Sequence, residues 1–343
     1  MNQKIININE LNLARDYFAN GFIDEAIDIT ENQLKDHALN LKSETDNQGG
    51  NLKFLNNFKN SLGDEILGIF DCNYHPYLSL EYAKVEEVKP SVHIQDSFTE
   101  IKCVRQLLAT DGLLNEQVVA IFPENFKSVV PANEHPVFYF VDKFAKRHLK
   151  YTRPFIKKLM SCKVFDGLLD LREAKLCKLI TNWVNFHERS HRTGPMPLPQ
   201  FIKEKSNKYT AALEELRADL ITIEFCFKNS KHKEDDYFLT GLYVLAERLC
   251  AYPLFRSQSN FDCISSIFFW KFLKNKNQNF TIEINLFQKS ITEMISLIHD
   301  FETEASKHEE ESVRKITLVN LVKKFIGNYE NEFVDYKMFW SSL

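Results

Sequence analysis

The chain has 343 residues, 44% hydrophobic and 26% charged, which suffices for one large domain or two ordinary ones and excludes a disordered or fibrous chain. Lys and Arg number 43 against 47 Asp and Glu, a net charge of -4. There is no overall basic field of the kind that holds nucleic acid or an anionic membrane surface, so neither partner is expected. Glycines are few, and no G-x-x-x-x-G-K-[ST], G-x-G-x-x-G or G-x-S-x-G occurs, which removes the common phosphate cradles and the nucleophile elbow.

Residues 10–42 read as helical, with Leu11, Ala14, Tyr17, Phe18 and Phe22 recurring at threes and fours and Gly21 dividing two short helices. Residues 43–50 form a polar loop, and a second helical stretch is expected from about 52 to 70. From 74 to 131 the pattern is mixed: Leu78–Tyr82 and Val118–Phe122 suit strands, and Ser97–Leu108 suits a helix. From His135 onward helix dominates. Pro154 fits the first turn of a helix ending near Cys162. Asp170 and Glu173 have capping-box spacing and open a helix to about His191, which Gly194, Pro195, Pro197 and Pro199 then stop. Long helices are expected over about 202–227 and 235–250, the latter ending at Pro253. Further helices follow, including 287–308 and 314–326, and the acidic run Glu302–Glu311 reads as a solvated face. The expected fold is mainly α, with a mixed α+β region over 1–150 of no assigned role and a helical metal-binding domain over 151–343.

The seven cysteines are scattered, odd in number and never form C-x-x-C. They suit a reducing compartment better than a disulfide framework. The opening residues lack the apolar core of a signal peptide, and no uncharged apolar run nears the ~18 residues of a membrane span. A cytoplasmic protein is the expectation.

One constellation carries chemistry. His187-Glu188-Arg189-Ser190-His191 is H-E-x-x-H. Histidines four apart on a helix sit about 40° apart and one turn along, so both rings can reach one metal ion. Cys177, Ile180, Val184, His187 and His191 lie on one stripe, so the histidines are expected to face inward. A catalytic zinc is usually held by three protein ligands. Glu215, on the next predicted helix, is the candidate third ligand. Asp219, one turn further, is placed to hold the ring N–H of a ligand histidine. Glu214 is the alternative ligand; in the favoured register it points about 100° away, and its loss should matter little. On the helix over 237–253, which is apolar almost all round, Glu247 and Arg248 must be paired or functional. Arg248 or Tyr252 is a candidate for stabilising an oxyanion near the metal, with a structural ion pair as the other reading.

The order His187-Glu188-x-x-His191, Glu215, Asp219 resembles the glutamate zincins, the metallopeptidase class of thermolysin. Glu214-Glu-Leu-Arg-Ala-Asp219 is also similar to the Glu-Glu-Cys-Arg-Ala-Glu stretch of the dipeptidyl-peptidase III family. The resemblance covers about 40 residues. It implies a helical domain of zincin type with zinc on His187, His191 and Glu215, and Glu188 as catalytic base. The substrate class it implies is a peptide or small amide. That family has one more residue between its histidines than this chain. Pro197 stands where a metzincin would place a third histidine. Two other readings remain open: iron on the same two-histidine, one-carboxylate set, or a closed structural zinc site completed by His232, Asp219 or a cysteine.

Overall fold

The computed structural model describes residues 8–20, 56–60, 63–71, 78–94, 101–116, 118–121, 137–158, 165–276 and 284–342, with single positions between 22 and 32. The chain divides into two units, Met1–Lys89 with Ser97–Phe144, and Pro90–Asp96 with Ala145–Leu343. The fold is mainly α with a mixed sheet, as expected.

In the first unit α1 (Ile8–Ala19) precedes six strands: β1 (Asn56–Asn60), β2 (Gly63–Asp71), β3 (Leu78–Glu87), β4 (Ile101–Ala109), β5 (Ala120–Ile121) and β6 (Val137–Phe140). A short helix α2 (Asp111–Leu114) lies between β4 and β5. The sheet order is β1-β2-β3-β4-β6-β5. All pairs are antiparallel except β4 with β6, where Ile101 faces Val137 and Val104 faces Phe140. Ala83, Val85, Val104, Ile121, Phe138 and Phe140 form its core with Leu113.

Two expected helices are strands. The described part of 52–70 is β1 and β2, and the described part of 97–108 is β4. In β4, Cys103, Val104, Leu107 and Leu108 imitate a helical period, yet Val104 is fully buried while Leu107 is 50% exposed. Pairing with β3 and β6 overrides that local pattern, because strand preference reflects cross-strand partners more than backbone bias. The strand at 78–82 is present and runs on to Glu87, whereas the one at 118–122 shortens to Ala120–Ile121. Of the expected helix over 10–42, residues up to 19 are helical in α1; most of the rest, and the loop at 43–50, lies outside the described residues.

Apart from Pro90–Asp96, the second unit starts within α3 (Val141–Arg147) and continues as a π-helical segment, His148–Thr152. Next come α4 (Arg153–Lys158), α5 (Asp166–Leu169), α6 (Glu173–His191), α7 (Lys208–Asn229) and α8 (Asp236–Val244). A second π-helical segment, Leu245–Ala251, leads into α9 (Tyr252–Phe255). The chain closes with α10 (Phe261–Asn275), α11 (Ile284–Ser306), α12 (Glu311–Ile326) and α13 (Tyr329–Ser342). Helix α7 packs against α6, α8, α10, α11 and α12, and buries Ala212, Leu213, Leu216, Ala218, Leu220 and Ile223.

Three boundaries differ from expectation. Asp170 closes α5 instead of capping α6, whose N-cap is Arg172 with no side-chain cap, so the capping box is not formed. Helix α7 starts at Lys208, where the Asn207 side chain accepts from Tyr209 N; residues 198–205 are turns. Pro253 falls in the first turn of α9, where a missing N–H costs nothing, so it does not end the helical path. The span Asp236–Phe255 is long and apolar enough to cross a membrane by length and composition, and 88% of its apolar window is buried within the fold, the position of a core helix.

Candidate metal centre

The last turn of α6 carries both histidines inward. Cys177, Ile180, Val184, His187 and His191 are all buried, the stripe that the sequence predicted. Arg192 caps the helix, and Gly194, at φ +91°, turns the chain away. That left-handed conformation favours glycine. A Cβ there would stand 2.9 Å from Arg217 Nη1.

Ligand-type atoms of His187, Glu188 and His191 lie within 4.8 Å of one another. The two Nε2 atoms approach to 3.0 Å. From α7, the Glu215 carboxylate faces both, with Oε2 3.2 Å from His187 Nε2 and Oε1 3.7 Å from His191 Nε2. Glu215 is 25% exposed and Glu188 partly exposed, so solvent reaches this side of the centre.

Behind the rings, each Nδ1 meets its own carboxylate. His187 Nδ1 is 2.8 Å from Asp219 Oδ1, and His191 Nδ1 is 2.8 Å from Glu214 Oε1. Asp219 is the expected partner. Glu214 corrects the expectation: it does not point to solvent or stand idle but is buried, 3% exposed, and anchors the second histidine. Consecutive residues of α7 straddle the crossing with α6, so Glu214 reaches one side of His191 and Glu215 the other.

Each anchoring carboxylate is held by an arginine. Asp219 accepts from Arg248 Nε at 3.1 Å and Trp183 Nε1 at 2.9 Å. Glu214 accepts from Arg217 Nε and Nη2 at 2.9 and 2.6 Å, and from Lys205 Nζ at 2.6 Å. Lys205 also reaches Glu302 Oε1 at 2.7 Å. Glu302 is therefore buried in an ion pair, not part of a solvated face as its acidic run suggested. The sequence reading missed Lys205, Arg217, Glu302 and Trp183. Two signals were available: Arg217 stands three residues after Glu214, and Trp183 lies one turn before His187 on the inward stripe.

The charges are mutually supported. Burial opposes ionisation of Glu214, Asp219 and Glu215, but histidine and arginine neighbours outweigh it and hold all three below the usual carboxylate range. Burial likewise opposes a charged His187, yet Asp219 and Glu215 raise its pKa well above the ordinary value. Burial works against the Arg248 charge too, and Asp262 with Asp219 overcomes it.

Arg248 is committed to carboxylates: Asp219, Asp262 at 2.5 Å, and Glu215 at 3.6 Å. Tyr252 is buried, with the Arg248, Arg147 and Arg256 guanidinium groups 5.2, 5.0 and 5.6 Å from its ring centre. Burial, then Asp262, pushes its hydroxyl up to about 12. His232 lies on an exposed turn, where its backbone N–H donates to Asp235, and Cys226 packs beside Gly241.

The donor set suits a divalent metal. With each Nδ1–H given to a carboxylate, a neutral pair presents two Nε2 lone pairs to each other and to an anionic carboxylate. Only a proton or a cation reconciles such an arrangement. Nitrogens ~2.0–2.1 Å from one zinc ion stand roughly 3.3–3.4 Å apart at tetrahedral angles, and the 3.0 Å separation here is a few tenths of an ångström shorter.

No protein-family model and no curated protein matches the sequence. The fold is similar to that of the solved structure of DPP III from Caldithrix abyssi, with a TM-score of 0.51 at 12% identity. The match covers 79% of this chain and 58% of that one, so this chain spans little more than half the length of that protein, and the likeness is one of fold.

Proposed function

We propose that the protein is a zinc-dependent hydrolase of peptide or small amide bonds. The observation that carries this reading is the convergence of His187 Nε2, His191 Nε2 and the Glu215 carboxylate, with the opposite ring nitrogens tied to Asp219 and Glu214. His187, His191 and Glu215 would hold the metal. When bound, zinc polarises a substrate carbonyl and lowers the pKa of a water toward ~7. The Glu188 carboxylate takes the proton of the attacking water and passes it to the leaving amine. Asp219 and Glu214 fix the tautomer and direction of the two rings. Arg248 keeps Asp219 and Glu215 ionised and in place, which makes it a positioning residue. The fold likeness to DPP III and the resemblance of the motif to glutamate zincins support the same reading.

The two-histidine, one-carboxylate set is also the facial triad of non-haem iron enzymes, so iron is the second reading. A closed structural zinc site is less suited: Asp219 is engaged by Trp183, His187 and Arg248, and His232 is on an exposed turn.

Metal analysis of protein purified without added metal, followed by digestion of a peptide library, tests the proposal. Stoichiometric zinc is expected, with cleavage that disappears on chelation. Glu188→Gln should retain zinc and lose at least ~10²-fold in turnover, the scale of general-base catalysis. Iron with oxygen consumption, or full turnover in Glu188→Gln, would overturn it.

A further inference from the structure

A second buried polar cluster lies where the two π-helical segments face each other. His148 and Tyr243 are both fully buried, their ring centres 5.4 Å apart. Neither ring nitrogen of His148, nor the Tyr243 hydroxyl, has a hydrogen-bond partner among the described residues. His148 Nδ1 stops 3.5 Å from Glu247 Oε2, too long for a good N–H···O bond. The Glu247 carboxylate is otherwise engaged, accepting from Arg147 Nε at 2.7 Å and from the Thr152 hydroxyl. Burial, then the Glu247 charge, raises the Tyr243 pKa well above its ordinary value.

Buried polar atoms without partners are costly, and folded interiors resolve them with ordered water that makes about three hydrogen bonds. The atoms here include both donors and acceptors: one His148 nitrogen gives, the other accepts, the Tyr243 hydroxyl does either, and Glu247 Oε2 accepts. A cation is poorly suited, since Arg147 already balances Glu247, and His148 with Glu247 supplies only two metal-type donors where zinc takes at least three. An apolar occupant would leave the same atoms unmatched.

We infer that His148, Tyr243 and Glu247 form an internal water-binding site, holding one or two long-lived molecules that bridge the π-helical segments His148–Thr152 and Leu245–Ala251. Such segments recur at functional positions. This one sets Glu247 toward Arg147 and the next residue, Arg248, toward Asp219. The water thereby helps fix the register that delivers Arg248. The inference does not depend on the reading of the metal centre.

Tyr243→Phe removes one hydroxyl and keeps the ring. If that hydroxyl is bonded to buried water, Tm falls by about 2–4 °C, and magnetic relaxation dispersion counts fewer long-lived waters. If the hydroxyl has no partner, removing it leaves Tm unchanged or raises it, which overturns the site. His148→Phe should cost less in the Tyr243→Phe background than alone, because two groups sharing a water are coupled; additive losses would count against a shared molecule. A crystal structure of the unaltered protein decides independently of how the variants fold. Water within hydrogen-bond distance of two of the three side chains is expected, and an empty space or a metal ion there would refute the inference.

Discussion

Glu214 and Glu215 are neighbours in the chain and meet the same imidazole from opposite sides, one at Nδ1 and the other at Nε2. Removing Glu214 should therefore weaken metal binding by about 10- to 100-fold, the usual effect of losing the partner that orients a ligand. It also leaves the buried Arg217 and Lys205 with Glu302 alone to balance two charges, so Tm should fall as well. Asp219→Ala should lose a similar factor in affinity, and Glu215→Ala more than either. Zinc-competition titrations with melting curves check the ranking; a Glu214→Ala protein matching the original in both would show the Nδ1 contact to be idle. The H-E-x-x-H pair and Asp219 were legible because their spacing is local and helical. Glu214 was not, because helical geometry assigns it another face and says nothing about where the crossing helix runs. Lys205 and Glu302 were hidden by sequence distance, being 97 positions apart.

Among the elements, the helix pair α6 and α7 was legible from periodicity, while β2 and β4 were not. Short apolar runs satisfy either period, and strand pairing across the chain decides between them. The connection after α6 is the most constrained piece. Gly194 takes a left-handed φ beside the Arg217 guanidinium, which also donates from Nη2 to Ser190 O at 2.9 Å. Gly194→Ala adds about 1–2 kcal/mol of backbone strain and pushes a Cβ against Arg217 Nη1. The expected outcome is a Tm lower by several degrees with weaker metal retention, since Arg217 holds the carboxylate that holds His191. Normal melting with normal metal content would show that the loop relaxes freely. The π-helical segments had no sequence signature, because an extra backbone residue per turn leaves the side-chain alternation looking helical.

At the scale of the molecule, the helical unit stores its polar groups as paired internal charge, and this sets its response to acid. Glu247 ionises at about 2 in the fold against 4.5 in a free chain, because the Arg147 charge, with the Thr152 hydroxyl, outweighs burial. The folded state therefore binds fewer protons than the unfolded one between those values. The stabilisation is complete above about pH 4.5 and drains away as pH falls toward 2. Urea midpoints measured from pH 7 to pH 3 should be flat at first and then drop below about pH 4.5; a midpoint constant down to pH 3 would contradict the Glu247 assignment.

The candidate ligands and their two anchoring carboxylates all lie between positions 187 and 219, on consecutive helices. Two further groups arrive from elsewhere: Arg248, from beyond α8, pairs with Asp219, and Glu302, from α11, pairs with the Lys205 that holds Glu214. Contacts local in sequence close at low entropic cost and form quickly, whereas distant ones wait for the chain to return. The hairpin of α6 and α7 is thus expected to form ahead of its clamps, with Arg248 and Glu302 locking the cluster once the rest of the chain has returned to it.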